Sequence, residues 1–102
     1  MKSPAIGSTW LNNKKQTLYR VWLIAPAVGC GEYVVYQEAG QPISKRGAFH
    51  VRHTEIENLI GLAYLEPPND WLISWLDRPV DWEPIAWARP HEMWHSKFTA
   101  VE

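Results

Sequence analysis

The sequence predicts a mostly β fold: a small SH3-like antiparallel β-barrel carrying a short helical or irregular Trp-rich insertion. Three observations point that way. Short segments rich in aromatic and β-branched residues fill the N-terminal half, separated by polar or glycine-containing turns. Eight prolines and six glycines cut the chain into pieces too short for a helical bundle. Seven Trp, four Tyr and two Phe supply large rings, so that 102 residues can still fill a core. One domain over residues 1–102 is expected, with barrel strands at about 8–52 and 85–101 and the insertion at about 54–84.

Taken in order, "STWL" (8–11) reads as a first strand and "NNKK" as a polar turn. "TLYRVWLIA" (17–25) follows, apolar on both sides as a central strand should be, with Tyr19, Val21 and Leu23 opposite Trp22 and Ile24. "PAVGCG" is a loop, "EYVVYQ" (32–37) a strand and "EAGQP" a turn. "RGAFHVR" (46–52) is a fourth strand, Phe49 and Val51 facing away from Ala48 and His50. "TEIE" (54–57) has the form of a capping box and predicts a short helical turn at Thr54. "GLAYLEPP" reads as a strand ended by the double proline. In "NDWLISWL", Trp71 and Trp75 stand four apart after Asp70, which predicts about two helical turns. "IAWAR" (85–89) is a strand, "PHEMW" a turn opened by proline, and "KFTAV" a closing strand. Tyr19, Val21, Val35, Phe49, Trp87 and Phe98 are expected to be buried.

"HVRHTEI" (50–56) and "WARPHEM" (87–93) echo one another, with Arg52 matching Arg89, Glu55 matching Glu92 and Ile56 matching Met93. The echo predicts one geometry used twice, a strand that leaves the sheet at an arginine. Arg89 is then expected to bond backbone carbonyls or Glu92.

The net charge is −1 with histidines neutral, which supplies no global field for nucleic acid. Lys14, Lys15, Lys45, Arg46 and Arg52 make the N-terminal half mildly basic, whereas the stretch from Glu55 to Glu83 is acidic. The single cysteine, Cys30, has no intramolecular partner. Without an apolar run of spanning length or a signal-peptide pattern, the expectation is a cytoplasmic protein with no membrane contact.

"HEMWH" (91–95) matches His-Glu-x-x-His, the helical motif in which two imidazoles meet one zinc and the glutamate acts as base. Such a site needs a third protein ligand. In the sequence that follows, "SKFTAVE", the sole candidate is Glu102, and Lys97 stands where a zinc-protease helix wants an apolar residue. His91, Glu92 and His95 are therefore read as a coincidence of letters, and no metal or cofactor is expected. His50 and His53 stand three apart on an extended segment and point to opposite faces, so they do not complete a site with Cys30. No glycine-rich phosphate loop and no nucleophile with a recognisable base is present, and no enzyme is expected.

"LYRVWLIA…GEYVVYQ…G…WARPHEMWHSKFTAV" resembles the short bacterial and phage proteins grouped as domain of unknown function 1653. The matching positions are Tyr19 and Val21; Val34, Val35 and Tyr36; Trp87, Arg89 and Pro90; Met93 and Trp94; and Phe98. The resemblance covers residues 7–37 and 85–101 and implies a small barrel of bacterial or mobile-element origin; it brings no activity. It also makes Trp87, Arg89, Pro90 and Trp94 structural, with Met93 and Trp94 as an apolar plug. The chain departs from the family by the long insertion that includes "WLISWLDRPVDW".

These readings converge on a non-catalytic binding module. Its expected contact is Trp71, Trp75 and Trp82, an aromatic surface for a protein partner or a second copy of the chain. A phage or mobile-element setting would make it a host modulator. The alternative is a small-ligand or nucleotide binder using the same aromatic insert as a pocket wall. "SKRG" (44–47) offers Lys45 and Arg46 as an anionic contact. Nucleic acid ranks below both readings, because the tryptophans of the insert lie among acids.

Overall fold

The computed structural model describes residues 3–41, 47–77 and 83–101. Eight strands and one helix follow each other along the chain: β1 Thr9–Asn12, β2 Leu18–Ala27, β3 Gly31–Glu38, β4 Ala48–His53, β5 Ile60–Glu66, β6 Asp70–Trp75, β7 Ala86–Pro90, α1 His91–Lys97 and β8 Phe98–Ala100. Six of them close a barrel in the order β2-β3-β7-β4-β5-β6, with β6 returning to β2. β1 and β8 extend the sheet from the other half of β2. Neighbouring strands are antiparallel except at two seams, β4 beside β7 and β2 beside β6, which are parallel.

β2 is ten residues long because it serves two layers. Its register against β3 shifts between Val21 and Leu23, where a bulge lets Trp22 and Leu23 both face the barrel interior. Tyr19 and Val21, before the bulge, face outward. The simple alternation expected for Tyr19, Val21 and Leu23 therefore breaks at this point.

Two apolar layers result. Inside the barrel, Trp22, Phe49 and Ile73 interlock with Ala25, Ala63, Ala86 and Ala88. A barrel of six strands has a narrow interior, so small residues must alternate with large ones. Outside the wall, Tyr19, Val21, Val34 and Tyr36 pack under Trp94 and Phe98. α1 is too short to stand on propensity alone. It is held by Trp94, wholly buried and stacked on Phe98 with centroids 3.9 Å apart. Tyr19, Val21, Val34, Tyr36, Trp87, Trp94 and Phe98 thus meet in one outer layer, on β2, β3, β7, α1 and β8.

The segment read as an insertion outside the barrel, about 54–84, instead supplies two of its six strands, and β1 and β8, expected among the barrel strands, lie beside it. β5 forms and ends at Glu66, before Pro67 and Pro68, as the double proline implied. The segment read as two helical turns is instead β6, and both strands are staves of the barrel wall. A spacing of four fits one helical face and equally one strand face, since four is twice the strand period. Pairing with β5 over six positions, Gly61↔Trp75 through Glu66↔Asp70, decides in favour of the strand. Around Thr54 the chain makes a bend and a turn without a helix.

Of the residues expected in the core, Tyr19, Val21, Val35, Phe49 and Phe98 are buried. Trp87 is half-buried on the outer face of β7, because Ala86 and Ala88 take the inward positions. Among the described residues no helix is long and apolar enough to cross a membrane.

Candidate functional site

A polar cleft opens on the outer wall of the barrel where β3, β7 and β4 lie side by side. Register builds its floor. Trp87 is the antiparallel partner of Tyr36 on β3 and the parallel partner of Arg52 on β4. Tyr36, Trp87 and Arg52 therefore form a row across three strands on one face. Tyr19 closes the row, its ring edge-on to Trp87 at 6.0 Å and to Tyr36 at 5.4 Å.

One rim is the β1–β2 turn. The buried Asn12 accepts the N–H groups of Lys14 and Lys15 on its Oδ1, at 3.1 and 2.8 Å. Gln16, with φ 58°, completes the reversal in the left-handed region. The turn is clamped to the end of α1: the N–H of Asn13 donates to the carbonyl of Lys97 at 2.9 Å, and the Thr99 hydroxyl donates to Asn13 Oδ1 at 2.6 Å. Lys14, Lys15 and Lys97, far apart in sequence, are held on one rim by these bonds.

Arg89 stands at the back of the cleft. Its Nη1 donates to Glu55 Oε1 at 2.8 Å, and its guanidinium lies 5.5 Å from the Phe98 ring centroid. The residue is 9 % exposed, and its Nε is buried with no partner among the described residues. The expected bond to Glu92 is not made; the carboxylate that answers Arg89 is Glu55, the echo-mate of Glu92. Burial raises the pKa of Tyr36, opposed by Arg89 and Thr54, which favour its ionised form. Tyr19 is raised too, by burial and by Glu38, against Arg89.

The cavity is about 440 Å³ and shares Asn12, Lys15, Glu55 and Arg89 with a second of about 340 Å³ beside the lysine rim. Together they are lined by Lys14, Lys15, Arg52, Arg89 and Lys97, five basic side chains, against the two carboxylates Glu55 and Glu57. That local excess of three positive charges belongs to a chain whose net charge is −1. Glu55 answers Arg89, whereas no carboxylate among the described residues pairs with Lys15 or Arg52.

His53 also borders this cleft but is not a free base. Its Nδ1 accepts the N–H of Glu55 at 3.1 Å, so in the neutral ring the proton sits on Nε2 and donates to the Tyr33 hydroxyl at 2.9 Å. Burial pushes its pKa down, with Glu55 opposing and Arg89 assisting. His53 faces inward on β4 while His50 lies on the opposite face, as the spacing of three implied.

The residues singled out in the sequence fall elsewhere. Trp71 and Trp75 pack against the barrel core from β6, Trp71 with Phe49 at 5.2 Å and Trp75 with Tyr33 at 5.3 Å. They share a face, as expected, but it is the interior face, and they do not form an exposed patch. Trp82, Lys45 and Arg46 lie outside the described residues. His91 and His95 sit on α1 with ring centroids 6.2 Å apart. His91 Nδ1 is 3.6 Å from Glu32 Oε1, and the His95 ring meets Trp10 edge-on at 5.5 Å. Among the described residues, no group of three or more His, Cys, Asp or Glu is placed to hold a metal ion.

Sequence reasoning missed the cleft as a unit. Its one available signal was the Arg52–Arg89 echo, whose two arginines do line the same cavity. No family model, no curated protein and no solved structure matches the chain.

Proposed function

We propose that the chain is a non-catalytic binding module that holds an anionic ligand in the cleft above Tyr36, Trp87 and Arg52. The observation that carries this reading is the charge segregation: five basic side chains against two carboxylates line two adjacent cavities, which share Lys15, Glu55 and Arg89, in a chain of net charge −1. Low-dielectric walls focus such a field and raise the local concentration of anions. Lys15 and Arg52 are the groups with free donor capacity, neither having a carboxylate partner among the described residues. A binding role without catalysis is supported by the engagement of His53, whose two ring nitrogens are both committed to structural hydrogen bonds. Tyr19, Tyr36, Trp87 and Arg89, four of the positions that resemble domain of unknown function 1653, line the cleft, and kinship with that family belongs to this proposal, as do a cytoplasmic setting and a phage or mobile-element origin.

Thermal midpoints in a series of anions test the reading. Pyrophosphate and citrate should raise the midpoint of the wild type at low salt and much less that of Lys15→Gln/Arg52→Gln. Equal shifts in both proteins would overturn it.

A protein contact has a separate support. β8 is the end strand of the sheet, and its outer edge can accept a strand from a partner or a second copy. Native mass spectrometry tests this: a dimer lost on Ala100→Pro, whose N–H points away from β1, supports it, and a monomer at all concentrations sinks it.

A further inference from the structure

We infer that the ligand of the cleft is a nucleoside phosphate, its planar ring against Trp87 and its phosphate between the lysine rim and Arg52. This rests on the anion-binding reading and deepens it. Three features of the lining are unnecessary for a simple anion. The first is the half-buried indole of Trp87, which lines the cavity directly beside the Arg52 strand position. An indole flanked by a guanidinium presents a flat apolar face next to a charge, the combination on which heteroaromatic bases stack.

The second is the pair of carboxylates. Glu55 and Glu57 line the same cavity as the cations. A carboxylate repels a phosphate or sulfate but accepts hydrogen bonds from hydroxyl or amino groups. The ligand that fits such a wall carries donors at one end and negative charge at the other. Ribose hydroxyls and the exocyclic amines of a base are such donors.

The third is extent. The cavity of about 440 Å³ shares Asn12, Lys15, Glu55 and Arg89 with a neighbour of about 340 Å³, Trp87 lining the first and Lys97 the second. Stacking at one end and cationic donors at the other suit a ligand longer than an inorganic ion. The chemistry is shared by a free nucleotide and by the terminal nucleotide of a single strand.

Isothermal titration of the full chain at low salt, with five probes, tests the inference. These are pyrophosphate, ribose 5-phosphate, adenosine, adenosine diphosphate, and a short 5′-phosphorylated single strand. A ring stacked on Trp87 should make the nucleotide bind roughly five- to a hundredfold tighter than pyrophosphate or ribose 5-phosphate. Trp87→Leu should erase that advantage while leaving pyrophosphate affinity in place, with far-UV circular dichroism as the check on folding. Should Trp87→Leu not fold, the comparison of probes on the wild type decides alone. A nucleotide no tighter than ribose 5-phosphate or pyrophosphate overturns the nucleoside assignment and leaves the anion reading standing. Failure of every phosphate-bearing probe overturns both. If nucleotide and strand both bind, the tighter of the two assigns the source, and either supports the inference.

Discussion

Arg89 on β7 and Glu55 in the β4–β5 loop, 34 positions apart, are joined by a 2.8 Å ion pair whose two ends are differently solvated. The Arg89 side chain is 11 % exposed and the Glu55 side chain 41 %. This asymmetry sets which partner matters more. Removing Glu55 strands a nearly buried guanidinium, whose Nε already lacks a partner. Removing Arg89 leaves a carboxylate that water can reach.

Glu55→Ala should therefore destabilise the fold by about 1–3 kcal/mol, toward the lower end because the cleft admits water. Arg89→Met, which removes the guanidinium but leaves an unbranched apolar side chain beside Phe98 and a carboxylate that water reaches, should cost less. Urea unfolding midpoints of the two variants check the ranking. A larger loss for Arg89→Met would mean that the guanidinium serves the fold by a route other than this pair.

His53 makes stability depend on pH. Its neutral form makes both hydrogen bonds, and burial lowers its pKa in the folded state. An unfolded histidine takes up a proton near a pH of about 6.5, so between there and the depressed folded value the native state binds fewer protons. The stability His53 contributes is fully present above about pH 6.5 and is lost as the pH falls below it. Unfolding free energy measured from about pH 7.5 to 5 should decline for the wild type more steeply than for His53→Gln. Parallel profiles would show that His53 is not the titrating group.

Trp71 and Trp75 should act as core. Changing both to Ser removes rings packed on Phe49, Tyr33 and His53, and should cost about 3 kcal/mol or more, enough to unfold a marginal domain. The far-UV spectrum of the double variant should be that of an unfolded chain. A folded double variant that has merely lost a binding partner would restore the exposed surface first expected from the sequence.

Gly61 on β5 lies under the same ring. A Cβ there would stand 2.6 Å from Trp75 Cε3 and 3.2 Å from Ile73 Cγ2. Ile73 is wholly buried and Trp75 is packed on the core, so neither can yield freely. Gly61→Ala should lower stability by about 1–3 kcal/mol despite its small size. An unchanged thermal midpoint would show that β6 shifts readily.

The barrel was legible where local pattern and final environment agree. β2, β3 and β4 carry dense aromatic and β-branched runs, and β5 stops where its double proline requires. β6 was misread because Trp71 and Trp75 satisfy both periods, and only pairing with β5 separates them. Trp87 is expected inside as an aromatic residue of a strand, although "AWA" holds the correct alternation: the alanines go in because the barrel is narrow. In "HEMWH" the letter that organises the segment is Trp94, buried against Phe98, and the histidines lie to either side of it. The cleft was illegible for a different reason. Lys15, Arg52, Trp87 and Lys97 come from four separate segments, and what unites them is the parallel seam between β4 and β7 and the clamp from Asn13 to Lys97. Neither leaves a local signature, and a net charge of −1 hides the excess of cations.

Whether anions occupy this cleft is tested most directly by mapping amide and indole N–H chemical shifts of the isotope-labelled protein during titration with pyrophosphate at low salt. The account predicts saturable shifts at the backbone amides of Lys14, Lys15, Arg52 and Glu55, and their loss in Lys15→Gln/Arg52→Gln. Saturable shifts centred elsewhere, or none at all, would contradict it.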